Sequence, residues 1–441
     1  MKLSNRYRWV FCQLEALRHC LPPSVRRTLD ELPASLDETY ERILKEIKRP
    51  NREHTLRLLK CLVAAIRPLR IAELAEVLAV DFDDAEGVPK LKVDWRWEDQ
   101  EQALLSSCSS LIAIISDGES QIVQFSHFSV KEFLTSPRLA TSSGDISHYH
   151  IDLEPAHTIL AEACLGVLLG LDDRVYKDIR DNSPLAQYAA RCWVAHAQFK
   201  NVSTQVHMAM ECFFDPDRPH FAIWVCLYDT DKFSPESGLS LFSPFLKSGA
   251  TPLYYAALCG FHDLVKRLID KYPRNVNAHG GYNLRPLMAA LAGRHFRTAD
   301  LLHHNGAEPN VQGRRERTPL HSAAHNGKLE LIRKLIEYGA DIDARDKDGY
   351  TPLRFASEGL KNPTVIRLLL DHGADVNTRA GDLSTPLHMA SGWGLVEVAR
   401  ILLEHGAMVE VEDDRGRTPL MVARAEKQVD MIELLLEHGA K

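Results

Sequence analysis

The chain has 441 residues, of which 45% are hydrophobic and 26% charged, and a formal net charge of -7. This is the balance of a folded globular protein, so a largely disordered, collagen-like or mucin-like chain is excluded, as is a global basic field that would draw it to nucleic acid or acidic lipid. No run approaches the ~20 apolar residues of a membrane helix; the best, Leu160 to Leu171, is short and carries Glu162.

At roughly 100–200 residues each, about two to four domains are expected. The first element is a helix over Arg6 to Leu17, with apolar residues at helical spacing, ended by Pro22-Pro23. Gln13, Glu15 and Arg18 interrupt its apolar stretch, so it cannot be a signal-peptide core. Leu32 to Tyr40 reads as a loop and a capped helix start, and the helix continues with Tyr40, Ile43, Leu44 and Ile47 on one stripe. Helices follow at Glu53–Ile66 and Ile71–Val80, separated by Arg67-Pro68-Leu69, with a third at about Glu98–Ser107. Two apolar strands, Leu111–Ile115 and Gln121–Phe125, are joined by the turn Ser116-Asp117-Gly118-Glu119, and a short helix spans Ser129–Leu134.

Three helices followed by a β-hairpin predict a winged helix. Relatives of that fold read DNA with a recognition helix. Here the third helix opens with Glu98, Asp99 and Glu101 and no basic residue, which would repel phosphates. A winged helix used for packing is therefore expected. A helical stretch runs on from Tyr149 to Phe199.

The C-terminal half repeats. Thr-Pro-Leu, or a near copy, starts at Thr251, Arg285, Thr318, Thr351, Thr385 and Thr418, in steps of 34, 33, 33, 34 and 33. Thr suits a helix N-cap, and Pro suits the first helical position, where no donor is needed. Paired Ala residues (Ala256-Ala257, Ala289-Ala290, Ala323-Ala324) allow close helix approach, and a Leu/Ile-rich second helix follows. Gly306, Gly339, Gly373, Gly406 and Gly439, each followed by Ala, suit C-caps with positive φ. Asp348-Gly349 and Arg415-Gly416 stand where hairpin tips are expected. One unit cannot bury its apolar face alone, but six stacked units can.

The pattern resembles the ankyrin repeat. Leu320-His321 and Leu387-His388 complete the family's T-P-L-H, whose His is implied to be structural. Departures are Arg285 in place of Thr, Tyr272 to Asn277 where a Gly-Ala turn belongs, and one extra residue around Lys361-Asn362-Pro363. The resemblance implies protein binding by hairpin tips and the exposed side of the first helix. Arg315, Arg317, Lys347, Tyr350, Arg354, Trp393 and Arg417 are the candidate partner-binding residues, with Arg314 and Glu358 on the same surface. Trp and Tyr there suit hot spots.

The N-terminal half resembles the segment after the nucleotide-binding core of NACHT-type signalling ATPases of filamentous fungi. Arg8-Trp9 with Cys12-Gln13-Leu14, Leu32-Pro33 with Leu36 to Leu44, and Arg67-Pro68-Leu69 with Phe125 to Leu134 carry the likeness. Tyr188 to Trp193, Phe214 to Asp217 and His220-Phe221 continue it. It implies a winged helix of the GPI inositol-deacylase type and, in the family, an upstream P-loop ATPase domain. No G-x-x-x-x-G-K-[ST] occurs: Ser322 stands where the first Gly before Gly327-Lys328 would be, and Leu329 follows. There is no H-E-x-x-H and no G-x-S-x-G, since Gly238-Leu239-Ser240-Leu241 runs into Phe242. His148, His150 and His157 lack a nearby Cys to complete a metal set. His127, which the family places near nucleotide, reads as structural. No catalytic, cofactor or metal residues are therefore assigned, and no nucleic acid or membrane partner.

Nine scattered Cys without a C-x-x-C point to a reducing compartment, cytoplasmic or nuclear. The expected fold is mainly α: a helical remnant over 1–50, a winged helix over 51–137, a helical linker region over 138–240 and a six-repeat α-solenoid over 249–441. The expected function is a non-enzymatic adaptor that binds a protein partner through the array. The alternative is a regulatory and sensor half of a nucleotide-driven ATPase, whose P-loop domain lies upstream of Met1 or on a separate chain.

Overall fold

Ser35 opens the first described helix of the computed structural model, accepting the Glu38 amide at 3.2 Å as N-cap of α1 (Leu36–Glu46). The structure describes residues 35–83, 87–108, 110–117, 120–142, 144–171, 183–228, 251–280, 285–358 and 363–441. The expectations for residues 6–17, Pro22-Pro23, Gly118-Glu119, the 172–182 part of the Tyr149–Phe199 stretch, 238–242 and Lys361-Asn362 lie outside the described residues. The chain divides into two compact units, 1–247 and 248–441.

In the first unit α2 (Arg52–Ala64) stops two residues before the expected end, because Ala65 turns extended ahead of Arg67-Pro68. Arg67 then binds Glu73 through both guanidinium nitrogens, at 2.8 and 2.6 Å, and the Arg70 amide donates to the same carboxylate at 2.8 Å. This clamps β1 (Leu69–Arg70) to the start of α3 (Ile71–Leu78). β1 was read only as a connector; two residues are too few to show a period. It pairs antiparallel with β5 (Ser120–Phe125), which pairs with β4 (Ile112–Asp117), in the order β1-β5-β4.

α3 ends at Leu78 and not at Val80, because β2 (Val80–Asp81) pairs with β3 (Lys90–Leu91). α4 (Gln100–Cys108) also starts later than expected: the Asp99 carboxylate accepts the Gln102 amide at 2.9 Å, so Glu98 and Asp99 precede the helix. His127 caps α5 (Phe128–Leu134), its Nδ1 accepting the Ser129 amide at 3.3 Å. The Ser129 hydroxyl lies 2.8 Å from that of Tyr40, tying α5 to α1.

The apolar run becomes α6 (Leu153–Leu169), buried along most of its length and packed on α2 and on α7 (Ala186–Ala197). Gly166 allows a close approach there: a Cβ would stand 3.1 Å from the Pro89 carbonyl oxygen, where the chain crosses the helix on its way into β3. Trp193 of α7 meets Phe213, at the end of α8 (His207–Phe213), and Trp224 of α9 (His220–Leu227) edge-on, with centroids 5.4 and 5.3 Å away. Such aromatic packing dominates the energetics of a small core.

The second unit is six helix pairs. The first helices are α10 (Pro252–Leu258), α12 (Pro286–Ala292), α14 (Pro319–His325), α16 (Pro352–Glu358), α18 (Pro386–Gly392) and α20 (Pro419–Ala425). The second helices are α11 (His262–Lys271), α13 (Phe296–His304), α15 (Leu329–Glu337), α17 (Pro363–Asp371), α19 (Val396–Glu404) and α21 (Val429–Glu437). Gly306, Gly339, Gly373, Gly406 and Gly439 end five of the second helices at φ between +80° and +90°. The first pair closes with a 3-10 turn over Pro273–Asn277. Arg285 makes no side-chain cap; its guanidinium donates to the Asn277 carbonyl instead.

Among the described residues no helix is long and apolar enough to cross a membrane, and no group of three or more His, Cys, Asp or Glu is placed to hold a metal ion.

Candidate protein-binding surface

Successive repeats are joined by a small set of recurring bonds, and these decide which side chains remain free for a partner. The Nδ1 of His321 accepts the Thr318 amide at 3.1 Å, which leaves Nε2–H to donate to the Tyr350 carbonyl at 2.8 Å. His388 does the same with Thr385 and the Arg417 carbonyl, at 3.1 and 2.9 Å. Burial lowers the pKa of both imidazoles, so each stays neutral in these bonds. A second ladder runs through Asn277, Asn310 and Asn377, whose side-chain amides donate to the carbonyls of Gly306, Gly339 and Gly406. A third links the hairpin tips by backbone bonds: Lys347 N–H to the Arg315 carbonyl, Gly381 N–H to that of Asp348, and Asp414 N–H to that of Asp382, at 2.9, 2.8 and 3.0 Å.

The candidate residues divide on this frame. Arg315 (φ +62°) is an exposed tip residue whose guanidinium lies 2.5 Å from Asp348 of the next tip. Lys347 is exposed beside it. Arg317 lies 3.2 Å from Asp346 and stacks over the Phe355 ring at 4.5 Å. Arg354 was expected on the open surface, but only 5% of it is exposed. Its guanidinium lies 3.5 Å from the centre of the Tyr350 ring and 3.6 Å from Asp382, so it fills the joint between two repeats. Arg417 is held by Asp413 at 2.9 and 2.8 Å. Arg317, Tyr350 and Arg354 are thus brought together, with their charges matched inside the array. The side chains of Arg314 and Glu358 lie outside the described residues.

Trp393 is different. It caps the end of α18 and is 58% exposed. The sequence reasoning missed its companion, Leu383, which is 43% exposed at a hairpin tip with φ +56°. The signal was available: Leu383 holds the place that Gly349 and Gly416 hold in the neighbouring repeats, at φ +78° and +70°. A leucine there meets the left-handed backbone penalty and packs on little. Among the described residues of the array, every exposed large apolar side chain lies between Leu383 and Leu436. Residues 251–340 carry 13 Lys and Arg against 7 Asp and Glu, whereas 341–441 carry 12 against 18. The apolar exposure therefore falls in the acidic half.

The first unit offers buried polar chemistry rather than an open site. The Ile66 amide donates to the Tyr188 hydroxyl at 3.3 Å, that hydroxyl lies 2.8 Å from His196 Nε2, and His196 Nδ1 lies 2.8 Å from His157 Nδ1. Burial drives the His196 pKa down to about 3, assisted by the neighbouring His157. Burial likewise pushes the Cys61 thiol up to about 12, as it does that of Cys259 in the array, which removes both as nucleophiles at neutral pH.

Comparison with known proteins agrees with the ankyrin array and with the winged helix. Three stretches, 232–313, 287–380 and 380–441, match the family of ankyrin repeats, and residues 40–144 match the winged helix domain of GPI inositol-deacylase. The chain is 31% identical over 294 residues to an azaphilone pigments biosynthesis cluster protein L of Monascus ruber, covering 64% of this chain and 61% of that protein. It is 34% identical over 100 residues to mouse ankyrin repeat and SAM domain-containing protein 6, covering 22% of this chain and 11% of that protein. A third relative is the probable 26S proteasome regulatory subunit p28 of Saccharomyces cerevisiae, 32% identical over 122 residues, which are 27% of this chain and 54% of that protein. The chain thus spans less than two thirds of the length of each of these relatives. Its second half is an ankyrin array, a module of protein–protein interaction, and its first half contains a winged helix domain.

Proposed function

We propose that the chain is a non-enzymatic adaptor whose ankyrin array captures a protein partner, with Trp393 as the principal anchor. The observation that carries this is the contrast on the array surface. Arg317, Arg354 and Arg417 are engaged by carboxylates and rings of the array itself, while Trp393 stands open at the end of α18. An exposed tryptophan offers large contact area at low entropic cost, and such residues dominate binding energy. Leu383 adds an apolar contact, Lys347 and Arg315 add tip charge, and Tyr350 holds Arg354 in place. Trp393→Ala should weaken partner recovery by the full chain about 30-fold, the equivalent of roughly 2 kcal/mol at a hot spot. Arg333→Ala, exposed on α15, should leave it unchanged. Equal recovery by both variants would remove this surface from the account.

A second reading is supported by the winged-helix match at 40–144. In it the chain is the regulatory and sensor half of a NACHT-type signalling system, and the winged helix packs on a P-loop ATPase domain. Nucleotide would then bind that domain and not this chain. A Mg-dependent ATP signal in calorimetry of this chain alone would overturn the reading.

A further inference from the structure

The winged helix carries an exposed edge that the array's function does not use. It lies between β3 and α4, over residues 93–101. Val93, Trp95 and Trp97 are all exposed, the two tryptophans at 49% and 42%. Arg96 between them is extended, with φ -66° and ψ 136°, so its side chain leaves on the opposite side. Its guanidinium is turned inward onto Glu76, a buried carboxylate that also accepts the Leu185 amide at 2.6 Å. This pair anchors the loop and presents both indoles outward on a fixed base. It also consumes the only basic side chain of the segment. Asp94, Glu98, Asp99 and Glu101 remain, all exposed, around the tryptophans. Lys92, next to the segment, lies 3.7 Å from Asp81.

An apolar pair flanked along the chain by four exposed carboxylates fits a basic amphipathic segment. The sequence offers a segment with that pattern. Over residues 1–18, Tyr7, Val10, Phe11, Leu14 and Leu17 recur at helical spacing, and Lys2, Arg6, Arg8 and Arg18 stand against the single acid Glu15. The 17 residues from there to the cap of α1 span up to on the order of 60 Å when extended, a long tether for a contact within the same unit. We propose that residues 6–18 of this chain dock on the Val93–Glu101 edge. Their apolar stripe covers Trp95 and Trp97, and Arg6 and Arg8 face the carboxylates. Opposite charge steers and orients such a contact, while the buried indoles supply its strength.

Hydrogen–deuterium exchange of the full chain tests this. The double variant Trp95→Ala/Trp97→Ala should raise amide exchange over residues 6–17 at least tenfold. Arg6→Glu/Arg8→Glu should do the same and should also raise exchange over 93–101. All four positions lie off the buried core of the described residues or in the docking segment, and the charge-reversed pair carries the test alone if the tryptophan variant misfolds. Exchange over 6–17 that neither variant alters would overturn the proposal. Protection that disappears on dilution would overturn it too, assigning the contact to a second copy.

Discussion

The two units are held by opposite kinds of bond. In the array, a few short motifs are used again and again, and each joins a residue to one about 29–34 positions further along, in the next repeat. In the first unit the critical bonds are each made once, and several reach far. Leu185 donates to Glu76 across 109 positions, Ile66 to Tyr188 across 122, and Tyr40 meets Ser129 across 89. A solenoid spreads its stability over nearest-neighbour interfaces. A domain closed by single long-range contacts concentrates it, so one substitution should cost it more.

The sharpest test of that contrast is to break one bond of each kind. Arg96→Ala leaves Glu76 buried with only the Leu185 amide for company. Removing one partner of a buried pair costs about 3 kcal/mol or more. His388→Ala removes one of several equivalent joints and leaves the Arg417 carbonyl short of a donor, a loss of about 1–2 kcal/mol. Urea titration of the two variants should show the larger midpoint shift for Arg96→Ala. A larger shift for His388→Ala would reverse the comparison.

Acid offers a second, smaller probe. Burial holds the His196 pKa near 3 in the folded chain, against about 6.5 unfolded. The folded state therefore refuses a proton that the unfolded state takes. The contribution is complete above pH 6.5 and is lost as pH falls from there towards 3, at up to about 1.4 kcal/mol per pH unit. His321 and His388 are lowered by burial in the same direction. Stability should thus fall between pH 7.5 and 5.5, and His196→Gln should flatten that slope. A slope unchanged by the substitution would mean that the Tyr188–His196–His157 chain is protonated at little cost.

The same distinction explains what could be read in the sequence. The array was legible because its bonds recur: five Thr-Pro-Leu copies and one Arg-Pro-Leu expose the period, and His321 and His388 announce their role by position. The winged helix was legible in outline from helix lengths and one hairpin. Its details were not, because β1 and β2 are two residues long, and neither Glu76 nor Arg96 shows in the chain that it will meet the other. At the candidate binding surface, residue type alone could not separate Arg354, buried against Tyr350, from exposed Lys347. Both are basic side chains near a hairpin tip. Only the packing between repeats tells them apart.

The smallest expected effect bears most directly on function. Leu383 stands at φ +56° where the flanking repeats use glycine, and 43% of it is open to solvent. Leu383→Gly removes a left-handed penalty of about 1–2 kcal/mol, offset by glycine's greater freedom in the unfolded chain, so a net gain of up to about 1 kcal/mol is expected. The hairpin bond from the Leu383 amide to the Ala380 carbonyl, 2.9 Å long, needs no side chain and should survive. If Leu383 is retained for a partner, the same substitution should weaken capture severalfold while raising the denaturation midpoint. Strain that stabilises nothing in the free chain is expected where a residue serves a contact. A variant both more stable and undiminished in partner recovery would make Leu383 an accident of this hairpin and leave Trp393 to carry the surface alone.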